Sequence, residues 1–146
     1  MTSAEMIIRP YLSAEESEVI KLWCKCNLTR ARNNLEKDIE RKSKVDPELF
    51  LIGLIDNKLV ATVMGGYEGH RGWVNYLAVN PDYQRRGLGR QIMEAVENRL
   101  QDMDCPKINL QIRTDNQEAV VFYEHIGYKM EERVSMGKRL LVDEER

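Results

Sequence analysis

No apolar stretch in this 146-residue chain approaches the roughly 20 residues a membrane-spanning helix needs, and its start lacks the basic residues and apolar run of a secretory leader. No membrane partner is expected. Cysteine is scarce and odd in number: Cys24, Cys26 and Cys105. The first two fall in a helical pattern where their side chains diverge, so neither a disulfide framework nor a metal site is expected. Free thiols suit a reducing compartment, and the expected location is cytoplasmic. The three read as small buried apolar residues rather than nucleophiles. A dominant charge is also missing: 22 basic and 24 acidic residues leave a net −2, which gives no general attraction to nucleic acid or anionic membranes. Repeats, linkers and low-complexity segments are absent.

One domain, residues 1–146, is expected, long enough to bury about 70% of the surface its unfolded chain would expose. The informative stretch runs from Val79 to Arg90, Val-Asn-Pro-Asp-Tyr-Gln-Arg-Arg-Gly-Leu-Gly-Arg. An apolar run, Trp73 to Val79, leads into it, and Leu88, Ile92, Val96 and Leu100 follow at helical spacing. This is strand, loop, helix. The first N–H groups of a helix lack intrahelical acceptors, and two glycines clear space in front of them. Arg85, Arg86 and Arg90 add positive charge, so a phosphate or pyrophosphate is the natural guest, with a solvated helix start as the plain alternative. The P-loop and dinucleotide fingerprints do not fit: no Lys-Ser/Thr follows, and Ile92 stands where a third glycine belongs.

Elsewhere the pattern gives a strand over Met6 to Tyr11 and a helix opened by Ser13-x-x-Glu16, with Val19, Leu22, Trp23 and Cys26 inward. A charged helix follows around Leu35 to Lys44. Leu49 to Ile55 and Leu59 to Tyr67 form a hairpin about an Asp-Asn-Lys turn. Gly69-His70-Arg71-Gly72 turns the chain into the Trp73 strand. After the long helix come a strand at Ile108 to Ile112, a helix capped by Thr114-x-x-Gln117 and ended by Gly127, and a closing hairpin of Tyr128 to Met136 with Arg139 to Val142.

Gln84-Arg85-Arg86-Gly87-Leu88-Gly89 resembles the Gln/Arg-x-x-Gly-x-Gly/Ala signature of the GNAT superfamily of N-acetyltransferases. Asn116-x-x-Ala119-x-x-Phe122-Tyr123-x-x-x-Gly127-Tyr128 resembles its downstream motif, in the right order. The likeness covers nearly the whole chain, and Val63 to Gly72 with Gly137-Lys138-Arg139-Leu140 looks closest to the YpeA-type bacterial acetyltransferases. It implies an α/β (α+β) fold: a mixed, mostly antiparallel sheet splayed around acetyl-CoA, flanked by about four helices.

The resemblance further implies acetyl-CoA as donor, with no metal, and a small-molecule or protein amine as acceptor. Its pyrophosphate would lie on Gln84, Arg85, Arg86, Gly87, Leu88, Gly89 and Arg90. Its pantetheine would meet main-chain groups of Leu77 and Val79, and a strand N–H near Leu77 or Ala78 would face the thioester oxygen. Asn116 would bond the cofactor's amide region or simply cap a helix. Tyr123 would be the general acid, since a phenol near pKa 10 holds its proton at neutral pH; otherwise it is core, as Phe122 is. The base departs from the family pattern: Trp73 and Gln111 stand where relatives carry Glu. Deprotonating an amine of pKa 10.4 costs about 5 kcal/mol at pH 7. Glu68 or His70 could help through water or be only turn residues. Arg30, Arg32, Arg41 and Arg71 could meet an anionic acceptor or be surface charge. Direct transfer is expected; an acyl-CoA-binding module with little turnover is the alternative, nucleic-acid binding a weak third, and a homodimer is left open.

Overall fold

In the computed structural model, which describes residues 5–29 and 34–143, a five-stranded sheet is flanked by four helices. Chain order is β1 (Ile7–Pro10), α1 (Glu16–Lys25), α2 (Leu35–Lys42), β2 (Phe50–Ile55), β3 (Lys58–Tyr67), β4 (Gly72–Val79), α3 (Leu88–Asp102), β5 (Ile108–Asn109) and α4 (Gln117–His125). The sheet runs β1-β2-β3-β4-β5, antiparallel through β4 and parallel between β4 and β5. The β2–β3 turn is made by Asp56 and Asn57, both at positive φ, which matches the right-handed twist of the strands it joins.

Each face of the sheet has its own core. Leu88, Ile92, Met93, Val96 and Leu100 of α3 pack with Val60, Val63, Val74 and Tyr123 on one side. Val19, Leu22, Trp23, Leu35 and Ile39 of α1 and α2 cover Phe50, Ile52, Met64 and Ala78 on the other. Each fully buried side chain of this size contributes about 1.5–3 kcal/mol. A Cβ at Gly65 would lie 2.6 Å from Val96 Cγ2, so the bare backbone of β3 lets α3 sit against the sheet.

Five expectations change. The first helix is not opened by Ser13 and Glu16; a 3-10 turn at Ser13–Glu15 precedes it, and the Glu15 carboxylate accepts from the Leu12 N–H at 2.9 Å. Arg9 holds the same carboxylate and keeps its pKa below the usual range against the opposing effect of burial. The cap of α4 is Asn116, not Thr114, because its Oδ1 accepts from the Ala119 N–H at 3.1 Å. The cysteines are less buried than expected: Cys24 is exposed, and Cys26 and Cys105 are intermediate. Finally, β5 stops at Asn109, and the closing hairpin does not form among the described residues: 128–143 carries no strand.

Candidate active site

Strand β4 is bulged. Thr62 pairs with Ala78 and Met64 with Asn75, so two β4 residues, Tyr76 and Leu77, face Val63 alone, and Tyr76 takes φ +53°. A chain of hydrogen bonds holds this irregularity. The Trp23 indole N–H donates to Thr62 Oγ1 at 2.9 Å, Thr62 donates to the Tyr76 carbonyl at 2.9 Å, and the Tyr76 hydroxyl donates to Asp38 Oδ2 at 2.6 Å. Trp23 also stacks on Tyr76, with ring centroids 4.0 Å apart. Burial, then Asp38, pushes the Tyr76 phenol well up, so it stays a donor. Thr62 is the one buried polar residue among those described. Its place in the apolar run Leu59-Val-Ala-Thr-Val-Met64 was the available sequence signal.

Before the bulge β4 has already parted from β5. The β4–β5 ladder consists of Gly72 with Ile108 and Trp73 with Asn109; the strands then separate. The Asn80 N–H donates to the Val60 carbonyl at 2.8 Å, toward β3. By strand alternation, Val79 and Leu77 turn their main-chain groups the other way, into the opening. The Val79 carbonyl there meets the Cys26 thiol at 3.4 Å, and burial raises the pKa of that thiol.

The loop closes the wide end. Arg85 and Gly87 both have positive φ, and Gly87 is the N-cap of α3. Among the described residues the N–H groups of residues 85–90 have no protein acceptor, and the first helical bond runs from Gln91 to Gly87. A Cβ on Gly87 would meet nothing within 4 Å, so the space before these donors is open. Six free donors, a helix N-terminus and three arginines suit the phosphates of a coenzyme. Arg86 lies over the Tyr83 ring at 5.1 Å, while Arg90 pairs with Glu94 at 3.3 Å. Gly89 also serves helix packing. A Cβ there would lie 3.1 Å from the Phe122 ring, so its small size lets α3 rest on α4.

Tyr123 is 9% exposed in the cluster that contains Leu88, between Phe122 and Tyr128, both edge-on. Burial raises its pKa to about 12. Its hydroxyl has no hydrogen bond among the described residues, yet the oxygen is not sealed from solvent. Tyr128, expected in a strand, instead donates to Glu97 Oε2 at 2.6 Å. Asn116 spends its carbonyl oxygen on the α4 cap.

The remaining candidates fall elsewhere. The Glu68 carboxylate accepts from the main-chain N–H groups of His70 and Arg71 inside the β3–β4 turn. Five residue steps, roughly 16 Å, separate the end of that turn at Gly72 from Leu77. Arg71 donates to the His70 carbonyl, and Arg41 pairs with Asp143 at 2.5 Å. Arg30 and Arg32 lie outside the described residues. Gln111 donates to Ser135 Oγ. A groove of about 1010 Å³ between α1 and the β2–β3 turn reaches Tyr83 and Arg86 but none of Leu77, Gly87, Gly89 or Tyr123. It is not the opening between β4 and β5.

Residues 12–128 match the model of the acetyltransferase (GNAT) family, and the chain belongs to that family. It is an N-acetyltransferase that uses acetyl-CoA. An acetyltransferase of Yersinia pseudotuberculosis is 44% identical over 140 residues, 96% of this chain and 99% of that one. Among solved structures, the aminoglycoside N-acetyltransferase AAC(6')-Iy in complex with CoA superposes with a TM-score of 0.76 at 16% identity, over 96% of this chain and 98% of that one. Naa20 of Chaetomium thermophilum, in complex with a bisubstrate analogue, gives 0.67 at 22% identity, over 84% and 70%. At such identities these likenesses show the fold alone.

Proposed function

We propose that this protein transfers acetyl directly from acetyl-CoA to an amine, on a small molecule or a protein, through the opening between β4 and β5. The observation that carries this reading is the conjunction at one end of the sheet. The β4 strand beyond its two-residue ladder with β5, the loop of unpaired N–H groups that opens α3 and the Tyr123 phenol without a partner share one side of the sheet, in the cluster that holds Leu77, Val79, Leu88 and Tyr123.

Acetyl-CoA, when bound, supplies an acyl group activated as a thioester. The N–H groups of residues 85–90 hold the pyrophosphate, and main-chain groups of Leu77 and Val79 orient the arm. The bulge fixes the Leu77 N–H as a donor to the carbonyl oxygen, where charge grows in the transition state, whereas the Ala78 N–H, expected as the alternative, is turned toward Thr62 of β3. Tyr123 keeps its proton until a thiolate needs it. Asn116 offers its amide N–H₂ while its oxygen caps α4. With Gln111 and Trp73 at the narrow end and Glu68 committed to its turn, the amine loses its proton to solvent. The YpeA-type subgroup remains our reading of the shared Val63 to Gly72 stretch.

Thiol release from acetyl-CoA, followed over a panel of small amines and peptides, tests the proposal. Amine-dependent release supports transfer. Tight acetyl-CoA binding with no release for any amine supports the binding-module alternative.

A further inference from the structure

Where β4 and β5 part, the two sides of the sheet differ in kind. Val74, Ile108, Leu110 and Ile112 pack into the cluster of α3. By strand alternation Trp73, Asn75, Asn109 and Gln111 turn the other way, to the side that carries α1 and α2. The last rung of the ladder joins Trp73 to Asn109, so the indole stands at the fork itself. Trp73 is 38% exposed, and its cross-strand partner Gly66 has no side chain to cover it. Among the described residues no other ring or cation stacks on it. Three carboxamides around one indole make an uncharged face. The cations on the same alternate positions are spent on carboxylates, Lys107 on Glu131 at 2.6 Å and Arg113 on Asp115 at 3.4 Å.

We infer that this face holds the acetyl acceptor, and that the acceptor is an amine on an uncharged, polyhydroxylated body, an amino sugar. The inference rests on the transfer reading above. Because α3, α4 and Tyr123 fill one side of the sheet, an amine reaches the thioester from the other, across Asn75 and Trp73. A hydroxyl both donates and accepts hydrogen bonds, and a carboxamide does the same, whereas a carboxylate only accepts and an ammonium only donates. An exposed indole adds a flat apolar surface for the C–H face of a sugar ring. A polyamine or a lysine chain finds no carboxylate among these four residues, and an acidic acceptor finds no cation. Spacing along the strand sets the size. Asn75 lies two residue steps, roughly 7 Å, and Trp73 four steps, roughly 13 Å, from Leu77. An amine at the thioester therefore puts its own ring beside Asn75 and a second ring on Trp73. Oxygen-bearing carbons next to the amine also make it a weaker base than a lysine, which suits a site where the proton leaves to solvent.

Thiol release at saturating acetyl-CoA tests it, with glucosamine, its galactosyl disaccharide lactosamine, the phosphate ester of glucosamine, spermidine and a lysine peptide as acceptors. Lactosamine should give the highest kcat/KM, about tenfold or more above glucosamine and above each of the others. Trp73→Ala should raise KM for lactosamine and erase its advantage over glucosamine while KM for acetyl-CoA holds; Trp73→Phe, which keeps a ring, should restore part of it. Circular dichroism checks that both variants fold. A second measurement needs no turnover. The chain has two tryptophans and Trp23 is fully buried, so a change in the emission of the CoA-loaded protein on adding lactosamine reports Trp73, and Trp73→Phe should abolish it. Preference for spermidine, the phosphate ester or the lysine peptide would overturn the inference, as would an equal loss for every amine in Trp73→Ala, or an emission that ignores lactosamine. An emission response without thiol release from any amine would support the sugar face and count against the transfer reading instead.

Discussion

On the α1–α2 side of β4 the polar groups are spent on one another: Trp23 on Thr62, Thr62 on Tyr76, Tyr76 on Asp38, and the half-buried Lys42 ammonium on the Gly65 carbonyl. On the α3–α4 side the Tyr123 hydroxyl and the N–H groups of residues 85–90 have no protein partner among the described residues. Both sides carry a hydrophobic cluster, so the presence of a core does not distinguish them. What differs is hydrogen-bond satisfaction. One side holds the strand in a bulged shape, and the other leaves donors for a ligand that brings its own acceptors.

The largest break in this contrast should come from Tyr123→Phe. It keeps the ring and its packing and removes one proton donor. Turnover at saturation should fall by roughly 10²–10⁴ while acetyl-CoA affinity changes little. Full turnover would assign proton delivery to solvent. On the satisfied side, Thr62→Val strands the Trp23 N–H and the Tyr76 carbonyl, each at a cost of about 1–3 kcal/mol. Urea unfolding should show that loss, and turnover should drop with it, since the bulge aims the donor. A variant as stable as wild type would mean the relay supports nothing.

Gly87→Val forces a β-branched residue to φ +74° where no atom stands in its way, so it strains the loop without a clash. Calorimetric titration should show acetyl-CoA affinity weakened at least tenfold, about 1.4 kcal/mol, in a protein that stays folded. Gly89→Ala is the sharper control. It presses on Phe122, and its effect should register first in thermal unfolding.

The smallest effect is expected from Glu68→Gln and His70→Asn. With no base within reach, the rate should climb with pH toward the acceptor's own pKa in wild type and both variants. Tyr123 should impose no falling limb below about pH 11, because its pKa is raised to about 12 and the acid form persists until then. A plateau at lower pH that vanished in either variant would restore that residue as the base.

Much of this was legible in the chain. Helical spacing after Gly89 marks α3, the Asp56-Asn57 turn marks the β2–β3 hairpin, and the two motifs bring the loop and Tyr123 together. The bulge was not legible, because a positive φ at a tyrosine has no signature in residue type. Gly89 reads in sequence as room for phosphate, and its contact with a ring 33 positions further on was not legible. The closing hairpin fails for a related reason: alternation says which face of a strand wants cover, but not whether the same chain supplies it.

The order of strands across the sheet repeats their order along the chain. Each antiparallel neighbour pair after β2 closes a short loop, and short loops close fast and at little entropic cost. The parallel joint of β4 with β5 is the exception, since a long connection through α3 must form before Gly72 and Trp73 find Ile108 and Asn109. That joint is only two residues long. Assembly of the β2–β3–β4 meander therefore does not wait on the two long-range joints at its flanks, β1 with β2 and β4 with β5.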